Sequence, residues 1–119
     1  MVAEVYTTTF ESQTITATSS GASATVVYTV PANHDSTIDY FGVANGGGST
    51  QTVTIEVFHA DDSTYKKLTN AHNITANTTY HLIDADRLHL HAGDKIVASK
   101  NGGTIDISIS AREFFNPNR

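Results

Sequence analysis

The stretches TVTIEVF at residues 52–58 and TIDISISAR at residues 104–112 alternate apolar and polar side chains. Successive side chains of an extended strand point to opposite sides, so each stretch has one apolar and one polar face. A sheet that packs one face on a core and leaves the other in contact with solvent or a partner requires that contrast. The sequence therefore predicts two strands whose buried residues are Ile55, Val57, Ile105, Ile107 and Ile109.

Short strands separated by turn residues account for much of the remaining chain. No segment keeps the i, i+3, i+4 apolar spacing of an amphipathic helix, so we expect no substantial helix. Hairpins are predicted around residues 19–21, 61–64 and 101–103, where Ser, Asp, Asn and Gly favour tight turns. An antiparallel β-sandwich or small jelly roll of about eight or nine strands follows from this pattern. The further strands are predicted at residues 13–18, 24–30, 37–44, 65–68, 78–83, 87–91 and 95–100.

The composition fits a single β-domain and excludes several classes of protein. The chain has 119 residues, of which 18 are Thr and 10 are Ser, and Thr favours pleated, half-buried surfaces. It has no cysteine, which excludes a disulfide framework, a thiolate metal site and a cysteine nucleophile. The net charge of −5 argues against a surface that binds phosphates. No apolar run approaches the roughly 20 residues of a membrane span, and no signal peptide is expected. We expect neither a nucleic-acid partner nor a membrane partner.

The two ends of the chain stand apart from the alternating strands. Residues 1–12 are predicted to form an N-terminal arm, residues 13–112 the β-sandwich domain and residues 113–119 a C-terminal tail. A mobile end gains little from aromatic side chains, so apolar anchors there indicate contacts with a neighbouring protein. The alternative is that the C-terminal aromatic pair packs under the domain's own sheet. The predicted assembly contacts are Val5, Tyr6, Phe10, Phe114 and Phe115.

The six histidines of the chain raise the question of a metal site. His89 and His91 share one face of a predicted strand, the spacing at which a strand presents two imidazoles to one ion. His81 or Asp94 could supply a third ligand. The competing interpretation is that the pair only faces solvent, since leucines occupy the opposite face of that strand. We favour the second interpretation and expect no metal.

Catalysis has less support than metal binding. No G-x-S-x-G or comparable setting activates a nucleophile. The carboxylate pairs at residues 61–62 and at residues 84 and 86 lie in turn-like sequence, where Asp bonds backbone amides. We therefore expect no enzymatic activity and no cofactor.

A carbohydrate-binding module is the main alternative outside enzymes. Sandwiches of that class stack exposed aromatic rings on sugars, and the preferred ring is that of Trp, which this chain lacks. Packing of Tyr40 and Phe58 in a second layer or an interface is the competing interpretation. The candidate rings are Tyr40, Phe58, Tyr65 and Tyr80.

Five short motifs follow one another along the middle of the chain. They are YTVPAN at residues 28–33, FGVAN at 41–45, VTIEV at 53–57, STYKKL at 63–68 and LHLHAGDKI at 88–96. Each motif alone is turn chemistry plus β alternation, so the specificity lies in the ordered set. The set resembles the small all-β structural proteins of tailed bacteriophages, especially phages that infect aquatic bacteria and cyanobacteria. The likeness covers roughly residues 26–112.

The resemblance implies a non-enzymatic virion component in which the quoted motifs are scaffold, so no catalytic residue carries over. The resemblance does not separate head from tail, but the short, cysteine-free chain of low charge with apolar anchors near both ends favours a capsid decoration (cement) protein, made in the host cytoplasm and located on the capsid surface. Its partners would be the major capsid protein and copies of itself, as a dimer or trimer. The second reading is a tail- or fibre-associated adhesion module whose loops at residues 45–50 and 61–64 touch a host glycan. A non-viral carbohydrate-binding domain is the third.

Overall fold

The computed structural model describes residues 6–82 and 88–117. Their regular structure consists of β-strands and one three-residue 3-10 helix, Gly21–Ser23. No helix in these two ranges is long and apolar enough to cross a membrane. The strands are β1 Tyr6–Ile15, β2 Thr25–Thr29, β3 His34–Asn45, β4 Gln51–His59, β5 Thr64–Ile74, β6 Thr78–His81, β7 Leu88–Leu90, β8 Lys95–Lys100 and β9 Ile105–Phe115.

The strands form two antiparallel sheets that pack face to face. The five-stranded sheet has the order β1-β9-β3-β6, and β7 pairs with β3 on the same side as β6. The four-stranded sheet has the order β2-β8-β4-β5. This arrangement confirms the predicted antiparallel β-sandwich.

The core lies between the two sheets and follows the predicted alternation. Ile105, Ile107 and Ile109 of β9 are fully buried, and Ile55 and Val57 of β4 are almost fully buried. Burying each such side chain contributes about 1.5–3 kcal/mol. The faces predicted for these two strands are therefore confirmed.

Two of the three predicted hairpins are wrong. β1 and β2 belong to different sheets, so residues 16–24 carry the chain across the sandwich instead of turning it back on itself. β8 and β9 are also in different sheets, although Asn101 and two glycines connect them. A turn signal specifies that the chain reverses, but not whether the next strand pairs with the last one or packs across the core. The third hairpin, β4–β5, is present.

The predicted boundaries of the arm and the tail both fall inside strands. β1 begins at Tyr6 and β9 ends at Phe115. The two strands pair without a register shift, from Tyr6 opposite Phe114 to Ile15 opposite Ile105. Residues 6–12 and 113–115 are therefore part of the five-stranded sheet, which corrects the prediction of separate arms.

The reason for this correction is the position of β1 at the edge of its sheet. Ile15 is the one buried residue of the strand, and Thr9 is the one half-buried residue. A strand that is covered on neither face needs no apolar side, so it has no period-two pattern by which to recognise it. Residues 1–5 and 118–119 lie outside the described residues.

Candidate interaction surface

β9 lies in the middle of the five-stranded sheet, with β1 on one side and β3 on the other. Its isoleucines point into the core, so the alternate side chains Asp106, Ser108, Ser110 and Arg112 point away from it. We call the side of the sheet that carries these residues the outer face. The four-stranded sheet packs on the opposite side, and the outer face therefore meets solvent.

The strand register arranges the outer face in rows. Ser110 of β9 lies opposite Phe10 of β1 and, on its other side, opposite Tyr40 of β3. Directly paired residues of antiparallel strands share a face. Because neighbouring strands are about 4.8 Å apart, the Phe10 and Tyr40 backbones are separated by about 10 Å, with Ser110 between them. Phe10 is 62% exposed and Tyr40 is 37% exposed.

The ring of Tyr40 lies over a glycine of its own strand. A Cβ added at Gly42 would overlap the Tyr40 hydroxyl oxygen and lie 2.9 Å from the ring carbon Cζ. His81 of β6 packs edge-on against the same ring, with 5.5 Å between the ring centroids. Gly42 therefore leaves the space that lets Tyr40 lie low on the outer face.

Arg112 organises the outer face near the start of β1. Its Nε and Nη2 atoms donate hydrogen bonds of 2.7 and 3.0 Å to the carboxylate of Asp39, which lies at a bulge in β3. The guanidinium carbon is 5.8 Å from the ring centre of Tyr6 and 5.9 Å from that of Phe114. The two rings contact each other, with 5.3 Å between centroids. Charge-assisted hydrogen bonds and cation–π contacts thus hold two predicted contact residues in place.

Phe115 is the last residue of β9 and points to the same side of the sheet as the buried isoleucines, but it is 65% exposed. The four-stranded sheet does not cover this end of the sandwich. The Phe115 ring packs edge-on against His34 at a centroid distance of 5.7 Å. The alternative in which Phe114 and Phe115 pack under the domain's own sheet is therefore wrong for Phe115.

Tyr28 of β2 ties this end of β9 to the other sheet. Its hydroxyl donates to Glu113 Oε2 at 2.5 Å and lies 2.6 Å from Ser36 Oγ. Since the single Tyr28 proton goes to Glu113, the Ser36 hydroxyl is the donor in the second bond. Burial, and then the hydrogen bond to Glu113, raise the pKa of Tyr28 above its ordinary value. The segment predicted as a tail is therefore anchored at Glu113.

His89 and His91 each bind a side chain of the neighbouring β3. His89 Nδ1 is 3.0 Å from Thr37 Oγ1, and His91 Nδ1 is 3.2 Å from Asp35 Oδ1. Both histidine side chains are exposed, so the prediction that the pair faces solvent is confirmed.

The two candidates for a third ligand have other contacts. His81 packs on Tyr40, whereas Asp94 is buried and accepts hydrogen bonds of 2.9 Å from the N–H groups of Ala60 and His91. Asp94 thus closes a turn. Within residues 6–82 and 88–117, no three His, Asp or Glu side chains are grouped so as to hold a metal ion.

Among the four rings predicted as sugar platforms, Tyr40 is exposed, whereas the other three are partly buried. Phe58 and Tyr65 pack on each other with 4.9 Å between centroids, and Lys95 lies over Phe58. Tyr80 packs against His72 and the edge of the core. Of the four candidates, Tyr40 is the one that is both large and exposed.

The two loops that the second reading assigns to glycan binding are far apart. Residues 46–50 precede β4, and residues 60–63 follow it. Nine residues of extended strand separate the loops by about 30 Å, so one small glycan cannot contact both.

Four of the five predicted assembly contacts fall within the described residues. Tyr6, Phe10 and Phe114 lie on the outer face, Phe115 lies at its end, and Val5 is outside the described ranges. Tyr40 was not among the predicted assembly contacts, although packing in a second layer or an interface was the alternative to a sugar platform. Its place in the row with Phe10 follows from pairing between strands distant in sequence. No sequence signal reveals that pairing.

Comparison with known proteins adds no assignment. The chain matches no protein-family model, no curated protein and no solved structure. We therefore infer function from the geometry of the outer face and from the order of the sequence motifs.

Proposed function

We propose that the chain is a non-enzymatic structural protein of a bacteriophage virion, a decoration protein that binds the outside of the capsid and further copies of itself. One observation carries this proposal: aromatic side chains are exposed at fixed positions on two paired strands, β1 and β9. Tyr6, Phe10 and Phe115 are 47%, 62% and 65% exposed. The ordered motifs, which resemble small virion proteins, supply the setting.

The position of these aromatic residues on strands favours binding. Each Phe that becomes buried contributes about 1.5–3 kcal/mol. A mobile arm would lose conformational freedom when it docks, whereas β1 is already ordered by its pairing with β9. A rigid surface with a few aromatic anchors, repeated over many copies on a shell, gains further from multivalency.

The proposed contact should depend little on salt. The chain carries a net charge of −5, and the outer face offers hydroxyl and aromatic groups more than charges. We expect binding to particles to persist at 1 M salt, where the Debye length is only about 3 Å. Release of the protein by salt alone would contradict an apolar contact.

The copy number of the chain in purified particles of the encoding phage tests the proposal. A decoration protein should be present in amounts comparable with the major capsid protein, whereas a tail protein should be present in a handful of copies. A protein absent from the particles would refute the virion proposal.

Rebinding of purified protein to particles that lack it tests the surface. Phe10→Ser and Phe115→Ser should weaken rebinding, because each removes an exposed anchor without opening the core. Leu68→Ser is the matched control, since Leu68 is exposed to 38% on β5 of the other sheet. An equal loss of rebinding in all three variants would show that Phe10 and Phe115 do not contribute a specific contact.

A second candidate, an adhesion module that binds a glycan, is favoured by the row of Phe10, Ser110 and Tyr40. Two exposed rings on strands whose backbones are about 10 Å apart could each stack on a sugar ring. Oligosaccharide binding that is lost in Tyr40→Ala would favour this candidate over capsid decoration.

A further inference from the structure

The described part of the molecule has four sheet edges, and three of them are protected against pairing. An unpaired strand edge is a template for another strand, and proteins protect edges with short strands, lysines or bulges. β6 and β7 have four and three residues, and β2 has five residues and a register shift. β5 is long, but it carries Lys66 and Lys67, positive-φ Ala71 and register shifts against β4.

β1 is the exception. It has ten residues and pairs on one side with β9 through a register that has no shift. Along its other side, no strand of residues 6–82 or 88–117 pairs with it. Its sequence, YTTTFESQTI, contains no Lys, Arg, Pro or Gly, and Glu11 is its single charge. The free edge of β1 therefore presents a long row of backbone donors and acceptors, and Glu11, which pairs with core-facing Ile109, is its single protective charge.

We propose that β1 is a dimerisation edge, at which two copies of the chain pair antiparallel about a two-fold axis beside Phe10. This pairing would join the two five-stranded sheets into one continuous sheet. The inference deepens the self-association part of the proposed function and names its surface. Self-association can be measured with purified protein alone. A chain that does not dimerise would therefore be distinguishable from a chain that does not bind a capsid.

The sequence of β1 favours this register over one centred on Glu11. A two-fold axis perpendicular to the sheet keeps both outer faces on one side, and an axis beside Phe10 places the two phenyl rings opposite each other. Glu11 then lies opposite Thr9 of the second copy, and Thr8 lies opposite Ser12. An axis beside Glu11 would instead place two carboxylates in direct opposition, which is destabilising.

A second copy fits this edge better than a foreign strand for two reasons. The pairing is self-complementary around the axis, because Phe10 faces Phe10, Thr8 faces Ser12 and the Glu11 carboxylate faces the Thr9 hydroxyl. It also occupies the least protected edge of both copies at once, so that the resulting dimer leaves no free β1 edge. If foreign strands bound instead, each chain would need a separate strand to cover its β1 edge.

The dimer has a consequence for binding. Both outer faces point the same way, so the aromatic anchors of two copies form one surface. A partner that contacts both would be held more tightly than by either copy alone.

Sedimentation equilibrium of the purified chain is the first measurement. We expect a concentration-dependent mass that rises from 12.7 kDa towards twice that value. A mass of 12.7 kDa at every concentration up to the solubility limit would overturn the proposal.

Substitutions locate the contact. Phe10→Lys places two like charges opposite each other at the axis and should weaken association roughly tenfold or more. Glu11→Gln should strengthen it, because the two Glu11 side chains are diagonal neighbours across the axis. Leu68→Lys, on the edge of the other sheet, is the matched control and should leave association unchanged. Circular dichroism checks that each variant is folded, and association unaffected by Phe10→Lys would place the contact elsewhere.

Disulfide trapping tests the register, because the natural chain has no cysteine to interfere. Phe10→Cys should cross-link to itself under mild oxidation. Thr8→Cys and Ser12→Cys should cross-link efficiently only when the two variants are mixed. Leu68→Cys supplies the background rate of random collisions. Cross-linking of Phe10→Cys at that background rate would overturn the axis at Phe10.

Discussion

The outer sides of the two sheets differ in how the chain covers them. On the four-stranded sheet, Glu56 and Val97 point away from the core, yet they are only 4% and 2% exposed. The segment that crosses between the sheets reaches Glu56, because the Gly21 N–H donates a 2.7 Å hydrogen bond to Glu56 Oε1. On the five-stranded sheet, Phe10 and Tyr40 remain in contact with solvent.

The chain therefore covers the outer side of one sheet and leaves aromatic side chains exposed on the outer side of the other. The crossing segment, residues 16–24, gives the four-stranded sheet a cover made from its own chain. No comparable segment among the described residues lies over Phe10 and Tyr40. Exposed aromatic groups on an uncovered face are typical of an interaction surface, and we place the proposed contacts there for that reason.

The largest expected effect concerns the core that both sheets share. Ile107→Ala should lower the free energy of unfolding by about 2–5 kcal/mol, since Ile107 is fully buried. Ser108→Ala, one residue further along the strand on the outer face, is the control and should change it by about 0.5 kcal/mol or less. Urea denaturation measures both, and a similar loss in the two variants would mean that the faces of β9 are misassigned.

The next effect concerns the covered face. Glu56→Ala removes the acceptor of the Gly21 N–H and should cost about 1–3 kcal/mol. Glu56→Gln keeps an acceptor oxygen and should cost less. Hydrogen exchange at the Gly21 amide should accelerate in Glu56→Ala. Unchanged exchange would show that the carboxylate does not hold the crossing segment in place.

A third effect appears at high pH, at the link between the sheets. The pKa of Tyr28 is raised in the folded protein, so stability from this group is present below pH about 10 and is lost as the pH rises further. The unfolding free energy should fall by up to about 1.4 kcal/mol per pH unit above that point. Tyr28→Phe should be less stable than the unsubstituted protein near pH 8. Its free energy of unfolding should fall less steeply above pH about 10, because the variant lacks the ionisable hydroxyl. Parallel urea-midpoint curves from pH 8 to 11 would contradict the link.

The smallest expected effect concerns the uncovered face. Gly42→Ala should displace the Tyr40 ring, because the new Cβ would overlap its hydroxyl end, at a cost of about 1 kcal/mol or less. Gly46→Ala is the control, since a Cβ there meets nothing within 4 Å. The contact between Tyr40 and His81, followed by NMR, should be lost only in Gly42→Ala. Its retention would show that the ring does not depend on the glycine.

The strands whose bounds were predicted best are those that have one buried face or turn residues at both ends. β8 was predicted at residues 95–100 and is found as Lys95–Lys100, bounded by turn residues on both sides. β4 extends one residue beyond each end of its alternating stretch, from Gln51 to His59. β1 was predicted at residues 13–18 but runs from Tyr6, because exposure on both sides removes the pattern.

The candidate surface was predictable only in part. The aromatic residues near the ends of the chain indicated contacts, and Tyr6, Phe10 and Phe115 are indeed exposed. Their role in binding stays a prediction. The row that joins Phe10 to Tyr40 through Ser110 could not be read from the sequence, because it depends on β9 pairing with two strands remote from it along the chain.

The sequence by itself determined the all-β class and the faces of β4 and β9, because alternation and turn chemistry act between residues close in the chain. Tertiary structure alone decided which strands pair, that residues 6–12 and 113–115 join a sheet, and which outer side is covered. Those outcomes depend on burying one apolar face against another, and many pairings of short alternating strands satisfy the same local pattern. Packing of the whole chain around a single core selects among them.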